Sequence, residues 1–402
     1  MSNLARQVTR EDIVRAQSRI FDDFKPFLRR TPMLRLSGQP LGVDCAEIWF
    51  KLEHLQVGGS FKARGMLNRL LSNTIPANGV IIASGGNAGI ACAQAANALG
   101  VHCEVFVPEL CPPAKQQKLA ALGAKVVVGG AFYPQALAAC LARHASTGAL
   151  LVHAYDQPEV VAGAGTIAVE IEAQAGIPDS VLVSVGGGGL IAGLAAGFES
   201  RANVVALEPV LCPTLHEARR QGQPVDVDVG GIAADSLGAR RIGHIAWEVT
   251  ERWIKQSLLV SDEAIRSAQL WMWREMRLAV EPAAALPFAP WPREPPGIDA
   301  PEAAEGIEPL EARPLPAVDA VDVDGAGPWS RSYHAPRVNV PSSAKTVSST
   351  KVKLLVTRSR PGNGGAFSMF SSIPRSRSDS TVGGCSGVVG CHVVIRRPGP
   401  YS

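Results

Sequence analysis

Gly59-Ser60-Phe61-Lys62-Ala63-Arg64-Gly65 sets a lysine between a glycine turn and a helix. Met66, Leu67, Leu70 and Leu71 recur with helical spacing and predict a helix over residues 63–71. A helix start carries partial positive charge, so a protonated lysine is poorly placed there. Losing the proton removes the conflict, and a neutral amine is what a carbonyl-capturing lysine needs. An ordinary exposed lysine would look the same in isolation, so the reading leans on two further glycine-rich turns.

The second turn is Ala83-Ser84-Gly85-Gly86-Asn87-Ala88-Gly89. Its small residues let a ligand approach the backbone, and free amides at the following helix start favour an anion such as a carboxylate. Asn87 reads either as a helix cap or as a donor to a ring oxygen. The third turn, Val185-Gly186-Gly187-Gly188-Gly189-Leu190, joins a strand to a helix. Four consecutive glycines are costly in conformational entropy and suggest a backbone cradle for phosphate. No Gly-Lys-Ser/Thr follows, so it is not a Walker loop.

Around these turns, short apolar strands (47–51, 79–83, 104–107, 125–128, 150–153, 181–185, 204–207) alternate with alanine-rich helices (88–99, 114–122, 133–145, 162–175, 190–198). The alternation predicts an α/β fold of parallel sheets covered by helices, with ligands at the carboxyl ends of the strands. A reactive lysine, a carboxylate-sized nest and a phosphate cradle together match pyridoxal phosphate, held by its phosphate and a lysine Schiff base. A rival reading is a nicotinamide-dependent oxidoreductase. Gly187-x-Gly189-x-x-Ala192 fits the dinucleotide fingerprint, and Glu208 ends the next strand. That reading leaves Lys62 and the Asn87 turn unused.

Composition narrows the setting. The 402 residues suffice for two domains, and no apolar run reaches membrane-spanning length. The polar start, 1–10, predicts no secretory leader, and eight scattered cysteines suit reduced cytoplasmic thiols. The histidines show no zinc-binding spacing. Residues 1–286 hold 26 basic and 26 acidic side chains, so 13 against 10 in residues 287–402 supply the whole net charge of +3. A neutral body gives no sign of a nucleic-acid partner.

These motifs closely resemble the serine/threonine dehydratase family of pyridoxal-phosphate enzymes, in the second fold type (tryptophan synthase beta-like). The resemblance runs from about Ile13 through Thr31-Pro32-Met33, Lys51-Leu52-Glu53 and the three turns to Glu281-Pro282. It implies two three-layer α/β domains: a large cofactor-binding domain (1–47 plus 153–286) and a small substrate-binding domain (48–152). It implies a cytoplasmic homodimeric ammonia-lyase of amino-acid catabolism, turning L-serine or L-threonine into a 2-oxo acid and ammonia by β-elimination. Lys62 would be the catalytic lysine, with Phe61 behind the cofactor ring and Asn87 on its hydroxyl. Gly186, Gly187, Gly188, Gly189 and Leu190 would bind phosphate, while Ser84, Gly85, Gly86, Asn87 and Ala88 would surround the substrate carboxylate. Gly85 stands where racemases carry a proton-donating serine, which disfavours racemisation. Relatives that bind a cation use a glutamate matching Glu208 and an aspartate at the position of Thr214, so no metal is assigned.

The resemblance stops after Leu286. Residues 287–402 carry 16 of the 30 prolines and read as an atypical, disordered low-complexity tail. From 325 onward there are 11 basic residues against the single acid Asp379, which opens a third reading: a catalytically dead scaffold with a nucleic-acid-binding arm. The family's pyridine-nitrogen partner, a serine or cysteine after a last core strand, has no match. Gly384-Cys385-Ser386-Gly387 has the residue types, but its apolar strand follows instead of preceding. The expectation is an open sheet edge and a catalytically impaired chain.

Overall fold

The computed structural model describes residues 7–24, 27–37, 47–290 and 391–396. All lie in one compact unit; the other unit, Asp299–Val382, falls outside the described residues. The chain opens with α1 (Arg10–Ser18), started by a capping box in which Thr9 and Asp12 satisfy each other's amides. Strands β1 (Met33–Ser37) and β2 (Glu47–Leu52) follow, then α2 (Lys62–Leu71), β3 (Val80–Ala83) and α3 (Asn87–Ala98). Next come β4 (Cys103–Val107), α4 (Pro113–Ala121), β5 (Lys125–Val128), α5 (Tyr133–Thr147), β6 (Leu150–Val152) and α6 (Pro158–Ala175). The second half holds β7 (Ser180–Ser184), α7 (Gly189–Phe198), β8 (Asn203–Pro209), α8 (Thr214–Gln221), α9 (Ala234–Leu237), α10 (His244–Trp253), β9 (Gln256–Val260), α11 (Asp262–Met276) and α12 (Pro282–Ala285). A last strand, β10, spans Cys391–Arg396.

The smaller sheet runs β5-β4-β3-β6, all parallel. Its side chains alternate as a doubly covered sheet requires. Val80 and Ile82 enter the core shared with α2 and α3, whereas Ile81 and Ala83 pack with Phe106 and Cys140 of α5. The larger sheet runs β1-β2-β10-β7-β8-β9. Here β7, β8 and β9 are parallel, and β10 lies antiparallel to both of its neighbours, so the sheet is mixed. Because β2 pairs in this sheet, the expected boundary at residue 48 cuts through a strand of the larger half. The expected open edge is not found either: β10 takes the slot between β2 and β7, and its backbone pairs with both. The start of the expected tail belongs to the body as well, since Phe288 and Ala289 are buried in the main core; 291–390 and 397–402 lie outside the described residues.

Glycines set the helix spacing that matters for the site. A Cβ on Gly65 would meet the carbonyl oxygen of Val160 at 2.7 Å, and one on Gly163 that of Arg64 at 2.6 Å. Gly165 and Gly193 bring α6 and α7 together in the same way. Thus α6 is the post against which α2, starting at Lys62, and α7, starting at Gly189, are both fixed at close range. A buried charge network locks the same crossing. The Arg64 guanidinium donates to both oxygens of Glu53 (2.7 and 2.8 Å) and of Glu170 (2.8 and 2.9 Å). Lys51 Nζ reaches Glu170 at 2.7 Å and the Thr31 carbonyl at 2.5 Å. The two cations and two carboxylates balance. Burial alone would raise the Glu53 pKa, but Arg64 outweighs it and holds it below the ordinary range.

Candidate active site

Lys62 is the first residue of α2, and its backbone N–H donates to Ser60 Oγ (3.2 Å). Its Nζ donates to the Ala154 carbonyl at 2.7 Å and sits 5.2 Å from the Phe61 ring centroid. No carboxylate pairs with it among the described residues, and burial lowers its pKa to about 8. The neutral amine expected from the helix start is therefore reachable near neutral pH. Phe61, Lys62, Gly65, Ala154, Tyr155, Val160, Ala164 and Gly189 line one narrow cavity, which joins the lysine to the tetraglycine turn.

That turn has no room for side chains. A Cβ on Gly187 would fall 2.5 Å from the Tyr155 ring, and one on Gly186 2.9 Å from the Leu237 backbone. Gly188 has φ +86°, a conformation that side chains disfavour. Among the described residues, the N–H groups of Gly186, Gly187, Gly188, Gly189 and Leu190 have no backbone carbonyl as partner. Five free donors at the start of a ten-residue helix form an anion cradle. Tyr155, which the sequence did not flag, walls it.

The Asn87 turn is arranged differently from a capped helix. Asn87 is the first residue of α3; Gly86 precedes it without a side-chain cap. Ser84 Oγ accepts from Gly86 N at 3.4 Å. The space beside Gly85 is taken by Cys111 Sγ, whereas Gly86 faces open space and Ala88 is buried. The side-chain Nδ2 of Asn87 points to Glu281, 3.3 and 3.4 Å from its two oxygens. Along the sequence Glu281 marks only the end of the matching stretch; no local pattern announces a contact 194 residues away.

Glu208 is spent on structure. Its oxygens accept from the Leu215 and His216 amides at 2.7 and 2.8 Å, holding the start of α8. Thr214 Oγ1 lies 2.6 Å from the Gly186 carbonyl and 3.2 Å from Glu208, so it links this carboxyl to the cradle. Burial pushes the Glu208 pKa up to about 7, against the hydrogen bonds it accepts. A carboxyl tied up in this way is not placed to receive a ribose, and nothing supports the nicotinamide reading. The described residues contain no cluster of three or more metal-ligating side chains. Ser386 and its neighbours fall outside the described residues.

An activatable lysine sharing a cavity with a backbone anion cradle defines an enzyme that captures a phosphorylated carbonyl cofactor. The residues fit pyridoxal phosphate: an amine for the aldehyde, free amides for the phosphate and a side-chain amide on the neighbouring turn. The chain belongs to the pyridoxal-phosphate dependent enzyme family, which matches residues 24–297. It is 35% identical over 277 residues to an L-threonine ammonia-lyase of Geobacter sulfurreducens, covering 67% of this chain and 68% of that protein. In structure it resembles a T.th. threonine deaminase (33% identity, TM-score 0.65, 70% of this chain and 91% of that one). It also resembles a serine racemase from Dictyostelium discoideum (29% identity, TM-score 0.64, 70% and 91%). No helix among the described residues is long and apolar enough to cross a membrane.

Proposed function

We propose that this chain removes ammonia from L-threonine or L-serine by β-elimination, giving a 2-oxo acid, with pyridoxal phosphate held at Lys62. The observation that carries this is the Lys62 amine, with its pKa lowered to about 8, in one cavity with the tetraglycine turn. The identity to an L-threonine ammonia-lyase supports the substrate class. When bound, the cofactor supplies an electron sink for negative charge at the substrate α-carbon.

The chain's own residues do the rest. Gly186 to Leu190 grip the phosphate through their free amides, and Phe61 packs beside the lysine. The Asn87 turn seats the substrate carboxylate on the amides at the start of α3, where the helix dipole favours an anion. Asn87 itself offers a side-chain N–H to the cofactor ring oxygen. Lys62, neutral and desolvated, takes the α-proton. Gly85 brings no side-chain acid to the opposite face, so elimination is favoured over racemisation.

In this reading the smaller sheet and its helices form the substrate domain. The larger sheet forms the cofactor domain, and the protein works in the cytoplasm as a homodimer. Ammonia and 2-oxo acid release from each hydroxy amino acid tests the activity, and light scattering tests the dimer. Lys62→Ala should abolish turnover and the lysine-dependent visible absorbance; full activity in that variant would sink the proposal.

A further inference from the structure

Glu281 is unused in the reading above, yet it sits where that reading needs control. Only 6% of it is exposed. It immediately precedes α12, and the carbonyl of Ala283 in that helix accepts from Ser184 Oγ at 2.5 Å, anchoring it beside the tetraglycine turn. From this anchor the carboxylate reaches the other sheet's helix α3 and receives Asn87 Nδ2 on both oxygens. The groups facing it are Ser236 and Asp235 of α9 and Lys115 of α4. Lys115 and Asp235 also pair with each other.

The chemistry of the amide gives this contact a consequence. An ionised carboxylate only accepts hydrogen bonds, so it selects the Asn87 rotamer with Nδ2 turned toward it. A neutral carboxyl also donates and admits the opposite rotamer, with Oδ1 toward it. In the first rotamer one Nδ2 hydrogen is shared by the two Glu281 oxygens and the second would stay available to the cofactor ring oxygen; in the flipped rotamer Nδ2 is turned away from that place. We propose that Glu281 is a positioning residue for the elimination, holding the Asn87 amide in the orientation that serves cofactor and substrate. This rests on the role given to Asn87 under the proposed function. Burial pushes the Glu281 pKa up to about 7 and Asp235 adds to it, against hydrogen bonds from Asn87 and Ser236 and the charge of Lys115. The switch therefore falls near neutral pH: Asn87 is locked above about 7 and released below it.

The test has one arm without cofactor and one with it. In the cofactor-free protein, the 15N side-chain amide resonance of Asn87 should shift as pH crosses neutrality. That transition should vanish in Glu281→Gln and return in Glu281→Asp. In the cofactor-loaded protein without substrate, the visible band should show the same transition, lost in Glu281→Gln and in Asn87→Ala. Turnover of Glu281→Gln should fall about tenfold, the scale of one charge-assisted hydrogen bond, and lose its acid limb. A Glu281→Gln protein that keeps the wild-type amide transition, or turns over with an unchanged pH profile, overturns the inference. Should Glu281→Gln not fold, an Asn87→Ala protein that retains the neutral transition in its band overturns it equally. If wild type forms no lysine-dependent visible band, the proposed function fails, while the cofactor-free resonance still decides the role of Glu281.

Discussion

Lys62 shows how one side chain acquires chemistry from its place. An aqueous lysine is protonated at neutral pH; here burial brings the pKa to about 8, and Nζ donates to a neutral carbonyl instead of a carboxylate. Below about pH 8 the ammonium dominates, so the reactive neutral fraction should grow about tenfold per pH unit and level off above. Stopped-flow uptake of pyridoxal phosphate by the cofactor-free protein should follow that curve. A flat rate from acid to alkaline pH would show that amine ionisation does not limit capture. The lysine, Asn87 and the four glycines were legible from sequence because each sits in a short local motif. Glu281, Ala154 and Tyr155 were not, since their contacts join segments far apart in the chain.

Among the elements, α6 transmits geometry between the Lys62 turn and the tetraglycine turn. Its Gly163 and Gly165 admit α2 and α7 at backbone contact, and the Arg64 network ties α2 to α6 through charges with no access to water. Removing one partner of such a network leaves an uncompensated buried charge, at a cost of several kcal/mol. A gentler probe is Gly163→Val. Its Cβ would meet the Arg64 carbonyl, so α2 must retreat and carry Lys62 away from the cradle. We expect about 2–3 kcal/mol of lost stability in urea unfolding and weaker cofactor binding. Unchanged cofactor affinity in a destabilised variant would mean that α6 does not set the spacing. Most helix and strand positions followed from periodicity. The start of α6 at Pro158, four residues before the expected point, reflects proline's fit to a helix's first turn.

At the scale of the molecule, the larger sheet is completed from a distance. β10 comes more than a hundred residues after α12 and fills the slot between β2 and β7 in reversed direction. Backbone groups on both neighbours would otherwise face an empty slot inside a sheet. A chain ending at residue 390 should therefore melt at least about 5 °C lower and aggregate more readily than the full chain. Identical melting would show that the slot needs no strand.

Fold class and the three turns could be read along the chain, while the division into two domains came with the family resemblance. Fold class and turns are written in local periodicity or in runs of small residues that only a few backbone conformations accept. It took the folded molecule to reveal that a far carboxylate holds Asn87, that Glu208 caps a helix, and that the last strand enters a sheet between two early ones. Such pairings depend on which surfaces meet once the core is buried, and no spacing along the chain encodes that encounter.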